Sequence, residues 1–196
     1  MLAVALLVIP AYLLGTFPTA ILVARARGRD VRAEGSGNPG ASNVARMLGW
    51  RAGLVVFLAD MAKAALAAGV GLVVGGRAGG YVLGVAAVLG HVFPVTRRGR
   101  GGRGVASGGG MLVVLHPLVA LPLVAVWVVI GYGLKRASVA SLVVACAVPP
   151  LVWLSGRAGW EVAVVSVVCL LVVARHAANL RRLLTGSELR LDGDGH

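Results

Sequence analysis

Long apolar runs separated by short polar segments organise this chain. The apolar runs span about Leu2 to Ala24, Ala52 to Val74, Tyr81 to Val95, Val105 to Ile130, Ala137 to Leu154 and Trp160 to Ala174. The first is broken near its end by Gly15, Thr16 and Pro18, and the fourth is interrupted at His116-Pro117. A helix needs about 20 residues to cross roughly 30 Å of hydrocarbon. Inside a bilayer every backbone group must be paired internally, so these runs predict helices. No basic segment precedes Leu2 and no small-residue cleavage pattern follows the first run, so it reads as a retained membrane helix and not as a signal peptide. No heptad or solenoid repeat is visible.

Composition narrows the class further. The chain is 58% hydrophobic and 13% charged, with a mean hydropathy of +0.89. Ordinary soluble domains carry roughly 25% charged residues. A soluble fold of 196 residues cannot hide that much apolar side chain, and a disordered chain would be polar. The net charge of +12 would suit nucleic acid if a soluble domain carried it, but none is present to do so.

The placement of the basic residues sets the number of crossings, because Lys and Arg collect on the cytoplasmic side. If Val105 to Ile130 crosses once, a tail with Arg175, Arg181, Arg182 and Arg190 ends outside. If it crosses twice, turning at His116-Pro117, 16 of the 19 basic residues fall inside. Arg77 and Arg157 then lie outside and Lys63 lies within a helix. The expected fold is therefore an all-α polytopic membrane protein with seven transmembrane helices, two of them short. Its N-terminus is outside and its C-terminus cytoplasmic. Trp153 and Trp160 bracket the outer loop as an interfacial aromatic belt would. Residues 1–188 are expected to form one membrane-embedded domain and 189–196 a flexible tail.

Three segments on the predicted cytoplasmic face carry most of the polar chemistry. The first holds Gly35, Ser36, Gly37, Asn38, Pro39, Gly40, Ala41, Ser42 and Asn43, then Arg46. Closely spaced glycines let backbone N–H groups converge on an anion. Ser36, Asn38 and Asn43 add donors, and Arg46 adds a cation at the start of the next helix. The second segment runs from Arg97 to Ser107. Its Gly99, Gly101 and Gly104 match a dinucleotide fingerprint, but no strand precedes them and no βαβ unit surrounds them. It reads instead as a phosphate cradle of Arg100, Gly101, Gly102, Arg103 and Gly104 leading into a helix N-terminus near Val105, with Ser107 in its first turn. The third cluster is His176, Asn179, Arg182 and Glu188, the first three spaced to share roughly one helical face.

Outside these segments, Asp60 and Lys63 stand one helical turn apart in an apolar run and predict an internal ion pair or a site. His91 and His116 lack a second ligand at metal spacing, so no metal is expected. Cys146 and Cys169 lie in apolar runs as small hydrophobes, without a disulfide framework.

These motifs resemble the bacterial membrane acyl-phosphate:glycerol-3-phosphate acyltransferases along essentially the whole chain. Gly15 to Pro18, Gly35 to Asn43 and Arg46 resemble the family's first motif. Gly90 to Pro94 with Gly99 to Ser107 resembles the second. His176, Asn179, Arg182 to Leu184, Gly186 and Glu188 resemble the third. The resemblance implies a seven-helix enzyme of the cytoplasmic membrane with its motifs on the cytoplasmic side. It also implies acyl transfer from acyl phosphate to the 1-hydroxyl of sn-glycerol 3-phosphate. The products are lysophosphatidic acid and phosphate, the first acylation of phospholipid synthesis, with no cofactor. The family's key groups fall on Ser36, Arg46, Arg103, His176 and Asn179. Gly37, Asn38, Gly40, Asn43, Arg100, Gly101, Gly102, Gly104, Ser107, Arg182 and Glu188 are the accompanying substrate- and phosphate-binding positions. The chain departs from the family pattern at Arg100 and Arg103, where lysine is usual, at Ala177 in place of Arg, and at Ala64 in place of Gly.

Substrates bearing phosphate suit a site of arginines and glycine turns. On this reading Ser36 and nearby N–H groups serve the donor's phosphate or the oxyanion, Arg46 and Arg103 neutralise phosphate, and His176, Asn179 and Arg182 hold glycerol 3-phosphate. The hydroxyl proton passes to His176 or to the acyl phosphate's own oxygen. The partners are the two substrates and the lipid bilayer, with no nucleic acid, in a monomer or an oligomer of unknown order. A small transporter of organic phosphate anions is the alternative, but the charges cluster on one face and not along a midplane path. A thioester-using enzyme of the His-x4-Asp type is disfavoured, because Thr96, Leu121 and Arg181 follow the three internal histidines at that spacing.

Overall fold

The computed structural model describes residues 2–192, and all regular structure among them is helical. The helices are α1 (Leu2–Gly15), α2 (Thr19–Arg25), α3 (Ala41–Leu48), α4 (Trp50–Val92), α5 (Val105–Leu115), α6 (Pro117–Gly133), α7 (Ala137–Leu154), α8 (Gly159–Arg175) and α9 (Ala177–Leu184), with one 3₁₀ turn at Val95–Arg97. They group into two compact units, 1–115 and 116–196.

In the first unit, α4 is a hairpin of two legs. Gly75 and Gly76 leave helical geometry, and Gly76 (φ 59°, ψ −157°) takes a conformation open in practice only to glycine. The legs, 50–74 and 77–92, then run antiparallel. Gly71 meets Gly79 backbone to backbone, Gly84 meets Ala68, and Lys63 meets His91. At 1.5 Å per residue the first leg is about 37 Å long, enough for hydrocarbon. Glycines also admit the neighbouring helices. A Cβ at Gly15 would strike the Ala87 carbonyl, one at Gly90 the Tyr12 carbonyl, and one at Gly110 the Met61 carbonyl. So α1 and α5 pack on α4 at backbone distance, as small residues permit in membrane helices. The break between α1 and α2 follows Gly15 and ends at Pro18, which has no N–H to continue the ladder. The Tyr12 hydroxyl donates to Phe93 O at 2.6 Å and accepts from Val95 N at 3.0 Å, tying α1 to the end of α4.

In the second unit, α7 packs against both α6 and α8. Trp127 donates to Ser141 across the first of these contacts at 3.0 Å. His116, which precedes Pro117 at the start of α6, lies 3.7 Å from Glu161 in the first turn of α8, both buried. α8 and α9 meet at a 54° bend.

Three helical segments among the described residues are long and apolar enough to cross a membrane: Leu2–Arg25, Trp50–Arg97 and Ala137–Leu154. The bent α8–α9 pair makes a fourth if it counts as one span. Outward faces are apolar: Leu2, Leu6, Ile9 and Leu13 on α1, Leu118, Leu121 and Val129 on α6, Val167 and Leu170 on α8. Lipid tails suit such a surface and water does not.

Two expectations change. The polar stretch from Arg25 to Arg51 is not wholly loop, because it contains α3, separated from α4 by Gly49 at φ 85°. Arg46 therefore sits in the last turn of α3 and not at the start of a membrane helix. The C-terminal tail makes contacts as far as it is described. Leu191 N donates to Lys135 O at 2.7 Å, and Asp192 pairs with Lys135 at 2.7 Å and with Arg190 at 3.2 Å. Residues 193–196 lie outside the described residues.

Candidate functional site

In the first unit, Asn43 builds the first glycine segment. It is 1% exposed and makes four hydrogen bonds. Its Nδ2 donates to Val31 O and Glu34 O, both at 3.0 Å. Its Oδ1 accepts from Ser36 N at 2.8 Å and from Arg46 Nη1 at 3.2 Å. Expected among the phosphate-binding groups, Asn43 instead spends its capacity inside the protein and shapes the loop. Gly35 and Gly37 adopt φ 58° and 67°, and a Cβ at Gly35 would strike the Asn43 carboxamide. The loop thus turns over Asn43 and brings Ser36 and Arg46 together, with Asn38 N 3.4 Å from Ser36 Oγ. Behind it, the Arg29 guanidinium pairs with Glu34 and holds its carboxyl below the usual range. Ala20, Ala24, Val31, Val44 and Val56 form the apolar floor.

The second glycine segment turns at Arg98 and Gly99 (φ 52° and 73°) and again at Gly104 (φ 89°), where it enters α5. Gly102 N donates to His91 O at 3.1 Å, so this N–H is not available to an anion. Ser107 is fully buried and donates to Gly104 O at 3.3 Å, closing the first turn of α5. Both residues, expected as phosphate ligands, hold the loop. Arg100 is exposed and Arg103 half-buried on either side of the Gly101-Gly102 pair.

Beneath this segment lies a buried polar cluster. The Lys63 ammonium is 2.8 Å from Asp60 Oδ1, 2.9 Å from His91 Nδ1 and 3.3 Å from Phe17 O. The Asp60–Lys63 pair was legible from its spacing. His91 was not, because it joins from 28 residues away. A small pocket, with room for about one water, opens beside the cluster, lined among others by Thr19, Asp60, His91, Arg97 and Gly102. Thr19 Oγ1 and Arg97 Nε are buried there without hydrogen-bond partners. Arg97 opens the second segment, whereas no sequence motif marked Thr19.

In the second unit, Glu188 organises the third cluster. It accepts from Asn179 Nδ2 at 2.6 Å and from Arg182 Nε at 2.9 Å. Burial alone would push its carboxyl up, but the hydrogen bonds from Asn179 and Arg182 and the Arg182 charge hold it below the usual carboxylate range. Glu188, expected as a binding residue, holds Asn179 and Arg182 in place through these two bonds. Because Asn179 Nδ2 faces a carboxylate, its Oδ1 must face away. That Oδ1 and Arg182 Nη2 are buried with no hydrogen-bond partner. His176 stands at the α8–α9 bend, 2% exposed, with Nδ1 donating to Val172 O at 2.7 Å. The neutral ring then keeps Nε2 as its basic nitrogen. The sequence had put His176, Asn179 and Arg182 on one continuous helical face. The bend makes His176 the residue before α9.

Comparison with known proteins gives a consistent picture. Residues 5–186 match the glycerol-3-phosphate acyltransferase family model. The glycerol-3-phosphate acyltransferase of Rubrobacter xylanophilus is 42% identical over 194 residues, covering 96% of this chain and 95% of that protein. The enzyme of Ralstonia pickettii is 37% identical over 195 residues, covering 96% of this chain and 94% of its own length. Among solved structures, the crystal structure of PlsY (YgiH) is described as an integral membrane glycerol 3-phosphate acyltransferase. Its glycerol 3-phosphate form superposes with a TM-score of 0.91 at 35% identity, covering 96% of this chain and 95% of that one. Its lysophosphatidic acid form gives 0.88 at the same identity. With matches of this length in sequence and in fold, the chain belongs to the glycerol-3-phosphate acyltransferase family.

Proposed function

We propose that this chain transfers a fatty acyl group from acyl phosphate to the 1-hydroxyl of sn-glycerol 3-phosphate, yielding lysophosphatidic acid and inorganic phosphate. Acylation of glycerol 3-phosphate follows from the family, and acyl phosphate as donor is a further step that rests on the resemblance of the motifs. The observation that supports the acceptor site is the pair of unpartnered buried atoms beside Glu188. Arg182 Nη2 is a donor for phosphate, and Asn179 Oδ1 is an acceptor for a hydroxyl. A polyol phosphate has both groups.

In the reaction the 1-hydroxyl oxygen attacks the acyl carbonyl carbon. The bond from that carbon to the bridging phosphate oxygen breaks, and phosphate leaves with the bonding electrons. The proton goes to His176 Nε2 or to the departing phosphate. Ser36 and the N–H groups of its loop serve the donor's phosphate or the oxyanion. Arg46 and Arg103 neutralise phosphate; arginine does so in bidentate fashion without giving up a proton. The donor is already activated, so no acyl-enzyme is needed, and the work is orientation and charge stabilisation.

The enzyme is read as a seven-span protein of the bacterial cytoplasmic membrane. The α4 hairpin supplies two spans, α5 and α6 are separate short ones, and the motifs face the cytoplasm. The skew of arginines toward one set of loops supports this orientation.

Purified protein given labelled glycerol 3-phosphate with palmitoyl phosphate is expected to release lysophosphatidic acid. Formation of that product from palmitoyl coenzyme A alone overturns the donor assignment.

A further inference from the structure

We propose that His91, held by Asp60 and Lys63, is a positioning residue that sets the second glycine segment and thereby Arg100 and Arg103. This rests on the acyltransferase reading for its consequence but on geometry for its substance.

The three side chains are 3–7% exposed among apolar helices. Burying charged and polar groups there is costly, and an apolar trio would pack the α4 hairpin equally well. What the polar trio adds is direction. An ammonium has three N–H bonds. Those of Lys63 face Asp60 Oδ1, Phe17 O and His91 Nδ1. His91 Nδ1 must therefore accept, which puts the ring proton on Nε2 and fixes the flip of the ring. Four parts of the fold meet here: both legs of α4, the α1–α2 break through Phe17, and the glycine segment.

The opposite edge of the imidazole is the surface on which Gly102 rests. A Cβ at Gly102 would fall on His91 Nε2, and a Cβ at Gly101 would strike His91 O. Gly102 N also donates to that same carbonyl. Residues 101 and 102 are thus located by one histidine twice, through its main chain and through its ring. Arg100 and Arg103 flank them directly, so a tilt of the ring displaces both guanidinium groups. A displacement of about 1 Å at a reacting group is enough to cost on the order of 10²-fold in rate.

The proposal predicts coupling between ring and loop. Gly102→Ala should lower kcat/KM about 10²-fold, because its methyl meets the imidazole. In a His91→Ala background the methyl has room, so adding Gly102→Ala should cost less than about 3-fold more. Additive losses would overturn the proposal. His91→Asn keeps an acceptor for Lys63 and should retain more activity than His91→Leu by about 10-fold, with the difference lying in KM for the phosphate substrates more than in kcat. Equal losses in the two variants would overturn it as well. A second readout does not depend on turnover. Hydrogen exchange in native protein should show protection of residues 99–104 that His91→Leu selectively removes while the legs of α4 stay protected. Unchanged protection of that segment would refute the positioning role. If the native protein acylates nothing, the functional reading fails, and the exchange measurement still decides this one.

Discussion

Replacing Glu188 with Gln separates the charge at the third cluster from its shape. The carboxylate serves two donors at once, Asn179 Nδ2 at 2.6 Å and Arg182 Nε at 2.9 Å. A carboxamide has one acceptor end. If its oxygen stays on Asn179, its NH₂ meets Arg182 Nε–H donor to donor. If it turns to Arg182, Asn179 must flip, and the atom offered to a hydroxyl becomes a donor. Either way one charge-assisted bond is lost, worth about 1.5–3 kcal/mol. A central loss of about 2 kcal/mol corresponds to roughly 30-fold in kcat/KM. The assay is steady-state lysophosphatidic acid formation, with size-exclusion and thermal unfolding in detergent to confirm that the variant is folded. The native enzyme should also show an acid limb. The Glu188 carboxyl is depressed in the folded protein, so its stabilising contribution is complete above the unfolded value of about 4.3 and is lost as pH falls through the folded value. The Gln variant should lack that limb. A folded Glu188→Gln enzyme within about 2-fold of native kcat/KM would refute the orienting role.

Three further outcomes are expected. Arg103→Lys should keep substantial activity while Arg103→Ala loses at least about 10²-fold, the scale of one lost donor to developing charge; an Ala variant with normal turnover removes Arg103 from the site. Ser36→Ala should be strongly impaired, and Asn43→Ala, which abolishes four hydrogen bonds of about 1 kcal/mol each, should also expose the loop before α3 to protease; native kinetics and native protease resistance would sink both assignments. Gly90→Leu drives a side chain into the Tyr12 carbonyl and should lower the melting temperature and the folded yield, the usual result of overpacking.

Much of the fold was legible because lipid imposes a simple code. Each apolar run became a helix, with breaks at Gly15 to Pro18 and at His116-Pro117 where glycine and proline stand. The amphipathic helix α3 was not separated from its loop, and α9 was read as continuous with α8. Each has eight residues, too few for periodicity to stand out beside 20-residue apolar runs. The glycine segments and the arginines were legible as chemistry. The division of labour within them was not. Ser36 and Asn43 look alike as polar loop residues, but burial gives Asn43's capacity to the backbone around it and to Arg46.

By itself the sequence determined an all-helical membrane protein with its cations gathered in a few polar segments, and its motifs named the family. Those properties follow from composition and spacing, which act locally and add along the chain. Only the tertiary structure decided which polar atoms face one another. The double glycine at 75–76 turns α4 back on itself, and that turn brings His91 to Lys63 across 28 residues. The turn before Glu188 returns its carboxylate to Asn179 and Arg182, leaving one buried atom of each without a hydrogen-bond partner. A hydrogen bond is directional and is shared by few partners, so residues that read as equal ligands along the chain become ligand or support only when the fold assigns their neighbours.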